Sequence, residues 1–324
     1  MSAPSRPRVL VARAIFPEVV ESLAQRFEVE HNAEDRPWPA DELAARLQGK
    51  AAAMTTVMDK LDDALLARCP ELRVISNIAV GYNNIDVEAA KRRGIRVTNT
   101  PGVLDDTTAD LTWALLMAVS RRIAEGDAYV RAGDWKVAFG VSAFLGQDIH
   151  HATLGILGMG RIGQAVARRA AGFDMRVLYH NRTRLGEADE RRLEATWVER
   201  DRLFAESDFV VVMAPYSPAN HHLVGAAQIA LMKRTAVLVN SARGGIVDDA
   251  ALVAALQSGR IAAAGLDVFE GEPNVHPGYL RLSNVVLTPH IGSASRATRL
   301  TMCRTAAANL TAVLDGRDPP NPVN

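Results

Sequence analysis

The sequence predicts an α/β protein made of two domains, each a doubly wound parallel sheet. Three observations carry this. Strand-like and helix-like patterns alternate along almost the whole chain, which is the order that builds parallel sheets with helices on their faces. One such series is complete by about residue 100 and forms a unit of its own. A second is organised around Leu154-Gly155-Ile156-Leu157-Gly158-Met159-Gly160-Arg161-Ile162-Gly163, an apolar strand running into Gly-x-Gly-x-x-Gly. A chain of 324 residues accommodates both.

The early strands read as Arg8–Ala12, Phe27–Glu30, Ala51–Thr55, Arg73–Ile78 and Ile95–Asn99. Between them Pro17–Gln25, Asp41–Gln48 and Val87–Arg93 read as helices, the last with Asp86 as N-cap and Gly94 as its stop. Thr100-Pro101-Gly102 breaks the pattern, and a long apolar helix follows from about Asp106 to Arg122. Gly126 to His151 reads as irregular, with Trp135, Phe139 and Phe144 assigned to no core. The second series has strands Thr153–Leu157, Met175–His180, Phe209–Met213, Ala236–Asn240, Ile261–Asp267 and Val285–Thr288, with a helix over Gln164–Ala171. A final amphipathic helix spans about Ala294 to Asp315, and Pro319-Pro320-Asn321-Pro322 cannot be helical.

Each glycine of the fingerprint has a physical task. Gly158 permits the tight turn, Gly160 lets a pyrophosphate approach the backbone, and Gly163 lets the helix pack on the strand. The helix N-terminus then offers free N–H groups and the positive end of its dipole to phosphates. A strand, a helix and a second strand frame the motif, so a dinucleotide is the expected ligand. Arg161 and Ile162, inside the fingerprint, are expected beside it. The second strand ends in Tyr179-His180-Asn181-Arg182-Thr183-Arg184. An NAD-preferring site usually has an acid there for the ribose 2′-hydroxyl. Here no acid stands to repel a 2′-phosphate, and two arginines suit it. NADPH is the expected cofactor, with NADH as the alternative; the competing interpretation is a solvated basic loop.

Composition excludes other classes. The 37 basic and 37 acidic residues cancel, so charge gives no reason to expect nucleic acid or an anionic membrane as partner. The two isolated cysteines, Cys69 and Cys303, suggest neither a disulfide scaffold nor a zinc site and fit a reducing cytoplasm. The N-terminus Met1-Ser2-Ala3-Pro4-Ser5-Arg6-Pro7-Arg8 lacks the apolar core of a signal peptide, and no uninterrupted apolar run is long enough to span a bilayer. His150-His151 and His221-His222 are adjacent pairs. Sequence neighbours tend to point apart, so no metal is expected. Ser241 lacks the nucleophile elbow. Trp113, Leu115, Leu116 and Met117 read as core or as a subunit seam.

Ligands of such sheets bind at the carboxyl ends of strands. Arg243 lies just after one strand, Glu272 after the next and His290 after the last. Reduction of a ketone needs a proton donor for the developing alkoxide and a cation to hold a carboxylate and polarise the carbonyl. His290 suits the first task, especially beside Glu272, and Arg243 the second. Taken singly, each has an ordinary alternative: a surface arginine, a polar loop residue, a strand-end cap. Their joint placement beside a dinucleotide fold favours the catalytic interpretation.

These segments resemble the D-isomer-specific 2-hydroxyacid dehydrogenase family. The matching blocks are Val80-Gly81-Tyr82-Asn83-Asn84-Ile85-Asp86, Asn99-Thr100-Pro101-Gly102-Val103, the glycine fingerprint, Ser241-Ala242-Arg243-Gly244, Gly265 to Pro273, and Pro289-His290-Ile291-Gly292-Ser293. Asp148-Ile149-His150-His151 and Asn181-Arg182-Thr183-Arg184 resemble the glyoxylate/hydroxypyruvate reductases, including the 2-ketogluconate reductase branch. The resemblance implies a Rossmann dinucleotide-binding domain, residues 102–290, inserted into a flavodoxin-like substrate-binding domain, residues 1–101 and 291–324. It implies His290 as general acid, Glu272 as its orienting partner, and Arg243 on substrate carboxylate and carbonyl. The backbone N–H groups of Val80 and Gly81 would hold the carboxylate. Asp267 would approach the nicotinamide, Thr108 would lie along the cofactor, and Ala214-Pro215 would flank the adenine. Ala242 and Gly292 fall in the matching blocks as further cofactor contacts. Relatives often have Val at the position of Thr108. The resemblance also implies a homodimer joined near Trp135, with Phe144 lining a substrate pocket of its own or the partner subunit; an interface role for Phe144 is the alternative.

The expected activity is reduction of small 2-oxo acids (glyoxylate, hydroxypyruvate, 2-ketogluconate) to D-2-hydroxy acids. A cofactor-sensing, corepressor-like interaction protein is the alternative from a different class, although no long extension follows the last helix. Another donor, such as phosphite, is a second alternative. Formate is disfavoured because the Glu272/His290 pair stands where a Gln would be expected. A phosphoglycerate dehydrogenase with a regulatory domain is disfavoured because no residues remain to build one.

Overall fold

The computed structural model describes residues 6–324. They form two compact units, one running to Leu104 and including Ala294–Asn324, the other Asp105–Ser293. The divisions fall a few residues past positions 101 and 290.

The first unit contains β1 (Arg8–Val11), α1 (Pro17–Ala24), β2 (Glu28–His31), α2 (Ala40–Leu47), β3 (Ala52–Thr55), α3 (Asp63–Leu66), β4 (Val74–Asn77), α4 (Val87–Arg92) and β5 (Arg96–Thr98). Its sheet is parallel throughout, in the order β2-β1-β3-β4-β5. The strand period of two sends Val9, Val11, Ala52, Met54 and Val74 into one core layer. Leu10, Ala53, Ile75 and Val97 enter the other. With both faces covered, these strands read as continuous apolar runs. Asp86 caps α4 by accepting from the Ala89 N–H at 2.8 Å, and Gly94 ends it at φ +70°.

The second unit opens with α5 (Asp105–Ser120) and α6 (Ile123–Arg131). Its strands and helices then alternate: β6 (Thr153–Leu157), α7 (Arg161–Ala170), β7 (Arg176–His180), α8 (Glu187–Leu193), β8 (Ala195–Trp197), α9 (Arg200–Glu206), β9 (Phe209–Val212), α10 (Ala226–Leu231), β10 (Val237–Asn240), α11 (Asp249–Gln257), β11 (Ala263–Leu266) and β12 (Val285–Leu287). They form a seven-stranded parallel sheet, β12-β11-β10-β9-β6-β7-β8. β6 pairs with both β7 and β9, so the strand order reverses at β6, where such sheets open a ligand crevice. Trp113 of α5 is buried, stacks on Phe173 at 4.8 Å and donates from Nε1 to the Val166 carbonyl at 3.1 Å. Leu115 and Leu116 are buried as well, but Met117 is exposed. The last helix, α12 (Arg296–Leu314), returns to the first unit and buries Cys303, Ala306 and Leu310 against Val9, Val11 and Val74.

Several elements differ from the sequence expectation. α5 stops at Ser120, because Arg122 takes a left-handed backbone (φ 53°) and a new helix starts after it. Part of the stretch read as irregular is therefore α6. β8 and α3 were not anticipated. Both cysteines are buried free thiols. Among the described residues no helix is long and apolar enough to cross a membrane.

Candidate active site

The site begins at the end of β6. Gly158 has φ +106°, and a Cβ there would stand 2.5 Å from the Ala214 nitrogen, so only glycine fits. A Cβ on Gly163 would meet the Gly158 carbonyl oxygen. A Cβ on Gly160 would meet nothing within 4 Å, so this face of the turn is open. No side chain caps α7, and its first turn holds no acid. The amides of its first turn, including those of Arg161, Ile162 and Gly163, are therefore left without helical acceptors. This cradle fits the pyrophosphate of a dinucleotide. Asn181, at the end of β7, secures the turn: its Oδ1 accepts from Met159 N–H at 2.6 Å, while its own carbonyl accepts from Trp197 Nε1 at 3.1 Å. Ala214 is buried beside Gly158, and Pro215 is exposed just beyond it.

The two arginines after β7 differ. Arg182 and Thr183 are exposed, and Arg182 has no ion-pair partner among the described residues. Arg184 is committed: its Nε and Nη2 donate to the two carboxylate oxygens of Glu190 on α8 at 2.8 and 2.7 Å. Tyr179 Oη donates to Glu190 at 2.6 Å and accepts from Leu185 N–H at 2.9 Å. Arg184, with Tyr179, pulls the Glu190 carboxyl down to about 2. Burial and the Glu190 hydrogen bond push the Tyr179 hydroxyl up to about 12.

Arg243, Glu272 and His290 follow three consecutive strands of the sheet, β10, β11 and β12. Gly244 draws the first two loops together, since a Cβ there would collide with the Phe269 carbonyl. His290 Nδ1 and Glu272 Oε2 are 2.6 Å apart. Glu272 Oε1 accepts from Phe269 N–H at 2.8 Å. Burial pushes the Glu272 carboxyl up, but His290, the Phe269 amide and Arg243 outweigh it and leave it below its ordinary value. His290 is held in the left-handed region (φ 53°) by its own N–H, which donates to the Asp267 carbonyl at 2.9 Å. Arg243 donates from Nη1 to the Ala242 carbonyl at 2.8 Å, and no carboxylate lies within ion-pair distance among the described residues. Burial lowers its pKa, with the Glu272 charge opposing. The site thus holds an acid–imidazole pair and, beside it, a half-buried cation with no carboxylate within ion-pair distance among the described residues.

Asp267, Thr108 and Gly292 come together near this set. Asp267 is buried and accepts from Thr288 Oγ1 at 2.6 Å and from the Ile291 and Gly292 N–H groups, each at 2.8 Å. Burial raises its pKa despite these bonds. A Cβ on Gly292 would touch Asp267 and Thr108 at 3.3 and 3.4 Å. In the first unit, the Val80 and Gly81 carbonyls accept from Asn99 and Asn77 side chains at 2.8 and 2.9 Å. Their N–H groups donate to no acceptor among the described residues. Phe144 has a different setting. Its ring lies 5.2 Å from Tyr129 and 5.1 Å from Phe139, with the Arg122 guanidinium 4.7 Å over it. Local packing therefore accounts for a side chain that the sequence left without neighbours.

Sequence reasoning passed over several residues that build the site. Asn240 is buried and spans the Arg243 turn, accepting from Ala242 N–H and donating to the Arg243 carbonyl, each at 3.2 Å. Ser241 is buried, and its hydroxyl pairs with that of Thr112 at 2.6 Å. Glu190 went unnoticed because it sits a turn into α8, away from the motif. The rings of His221 and His222 do not diverge. They stack at 3.9 Å and 22°, because His222 has a left-handed backbone (φ 52°).

A sheet that offers a pyrophosphate cradle at its switch point and an acid–base pair at nearby strand ends is that of a dinucleotide-dependent oxidoreductase. Residues 113–292 match the D-isomer specific 2-hydroxyacid dehydrogenase, NAD binding domain. The chain is 47% identical over 322 residues to a glyoxylate reductase of Thermococcus gammatolerans, covering 98% of this chain and 96% of that protein. It superposes on a crystal structure of a Thermus thermophilus protein with TM-score 0.91 at 46% identity, covering 98% of this chain and all of the other. A further similar structure is the NADPH-dependent glyoxylate/hydroxypyruvate reductase of Sinorhizobium meliloti in complex with NADP and malonate. Its TM-score is 0.88 and its identity 36%, with 98% and 97% of the two chains covered. The chain belongs to the D-isomer specific 2-hydroxyacid dehydrogenase family and is an oxidoreductase.

Proposed function

We propose that this chain is an NADPH-preferring reductase of small 2-oxo acids, glyoxylate first, with hydroxypyruvate and 2-ketogluconate as further substrates. The observation that carries the reading is the 2.6 Å His290–Glu272 pair beside Arg243, a cation with no carboxylate partner among the described residues. The names of the relatives support glyoxylate as substrate. When bound, the reduced nicotinamide supplies the hydride. His290 then gives a proton to the developing alkoxide from Nε2, while Glu272 holds Nδ1 and so orients the ring. Arg243 takes the substrate carboxylate and polarises the carbonyl. The amides of Val80 and Gly81, without acceptors among the described residues, are donors of the kind a carboxylate takes. Asp267, Thr108, Ala242, Gly292, Ala214 and Pro215 serve as the remaining cofactor contacts. Assays of a 2-oxo acid panel with NADPH and NADH test this reading. Turnover of glyoxylate with NADPH also separates it from a cofactor-sensing interaction protein, which would show none.

Cofactor choice is expected to rest unequally on the two arginines. Arg184 has two fork donors and its charge engaged by Glu190, whereas Arg182 is exposed and has no ion-pair partner among the described residues. A charge-assisted bond contributes about 1.5–3 kcal/mol, roughly tenfold to a hundredfold in binding. Arg182→Ala should therefore raise the Kd for NADPH by about that factor and leave NADH nearly unchanged, and Arg184→Ala should cost less. Equal losses for both cofactors would show that the loop does not read the 2′-phosphate.

We also propose a homodimer formed through the segment after α6. Trp135, Val137, Phe139, Val141 and Leu145 are all exposed there, an apolar group that a second copy would cover. Phe144 at its base would then line a substrate pocket. Phe144→Ala is expected to change the ranking of glyoxylate against bulkier oxo acids at constant cofactor preference. An unchanged ranking with weakened assembly in sedimentation would place the ring in the interface alone.

A further inference from the structure

The structure gathers three metal-ligating side chains that the proposed chemistry does not use. His221 and His222 lie after β9, and Glu270 lies after β11. Their ligating atoms all fall within 4.8 Å of one another. His222 Nε2 is 2.9 Å from Glu270 Oε2, and His221 Nε2 is 3.7 Å from Glu270 Oε1. The stacked rings thus direct both Nε2 atoms at the two oxygens of one carboxylate. Metal–nitrogen and metal–oxygen bonds of about 2.0–2.2 Å, arranged tetrahedrally, put ligand atoms roughly 3.3–3.6 Å apart. The observed spacing brackets that range.

The backbone around the cluster is anchored before any ion arrives. His222 N–H donates to the Gly245 carbonyl at 2.8 Å, and Val224 N–H to the Ile246 carbonyl at 3.0 Å. Glu270 N–H donates to Asp249 Oδ2 at 3.0 Å. The remaining ring nitrogen of His222, Nδ1, faces the Asp248 carboxylate at 3.8 Å, on the side where a metal-bound imidazole needs its orienting acceptor. Asp248 keeps its other oxygen on Ala251 N–H as the cap of α11. The three side chains are between about a third and a half exposed, so an ion has access from solvent.

We propose that His221, His222 and Glu270 form a binding site for one divalent transition-metal ion of the zinc and cobalt class. Two imidazole nitrogens and one carboxylate oxygen suit such borderline ions rather than calcium or magnesium. Water completes the coordination. The ion clips the loop after β9 to the loop that carries Glu272 two residues beyond Glu270, and so stiffens the support of the His290 partner.

Cobalt(II) added to the metal-free full-length protein is the probe. The expected result is a visible absorption band that saturates at one ion per chain, together with a rise in the thermal midpoint. His222→Asn and Glu270→Gln should each abolish the saturating band. Asparagine tolerates the left-handed backbone at position 222, so His222→Asn keeps the fold. The double variant His150→Asn with His151→Asn removes the other adjacent pair, whose rings meet edge-on, and should leave the band intact. A band that persists in Glu270→Gln and His222→Asn, or that follows the His150/His151 pair, overturns the proposal, as does binding that never saturates.

Discussion

His290→Ala is expected to lower turnover of glyoxylate by about 10²–10⁴-fold, the usual contribution of general acid catalysis, while NADPH binds as before. The argument is geometric. His290 is fixed at both ends: its backbone N–H on the Asp267 carbonyl, and its Nδ1 on Glu272. That leaves Nε2 as the one ring nitrogen able to meet a substrate. Steady-state kinetics and a fluorescence titration with NADPH together check the prediction, and near wild-type turnover would refute the assignment. Glu272→Gln should cost less, because a neutral amide can still hold Nδ1 and orient the ring. The pair has a pH signature as well. The folded-state pKa of Glu272 lies below its ordinary 4.5, so its stabilisation is fully present above that value. It is lost as pH falls through the depressed folded value. Removing the carboxylate in Glu272→Gln should therefore destabilise the protein at neutral pH and make little difference in strong acid.

Much of this was legible because it is carried by local pattern. Asp86 and Gly94 bracket α4 as their capping chemistry requires. The glycine turn, with its crowded Gly158 and open Gly160, follows from covalent geometry that any reader of the sequence can apply. The rule that ligands sit at strand ends placed Arg243, Glu272 and His290, and the sheet order makes their three strands neighbours. What escaped depends on contacts between distant segments or on unusual backbone. α6 buries none of its residues, so it has no apolar stripe to announce it. β8 is a three-residue edge strand whose central Thr196 is exposed, too short for a period. Arg122 and His222 in the left-handed region broke two expectations, a continuous helix and diverging imidazoles. Glu190 reaches Arg184 only because α8 folds back over the end of β7, and nothing in the basic loop itself signals this partner.

Arg243→Ala is expected to lower kcat by about 10²–10³-fold, the cost of losing a donor aimed at developing charge, and to raise KM for the oxo acid as well. Both parameters should move because one guanidinium fork serves two tasks. In the proposed role it would hold the carboxylate in the ground state and stabilise the carbonyl oxygen as charge grows there. Arg243→Lys should recover little, since a point charge cannot reproduce the planar fork. Stability should move in the opposite sense to activity. Burial already lowers the Arg243 pKa, and no carboxylate among the described residues lies close enough to pair with it. Its side-chain hydrogen bond goes to the adjacent Ala242 carbonyl. A partly desolvated charge without a close partner costs folding free energy, and in the proposed role a bound anion would offset that cost. Arg243→Met, which keeps most of the aliphatic stem, is therefore expected to unfold at the same temperature as the parent or higher, with its activity lost. A thermal melt showing strong destabilisation would mean that Arg243 is a structural ion-pair residue. A raised midpoint with abolished turnover would show that the fold carries this cation for its substrate.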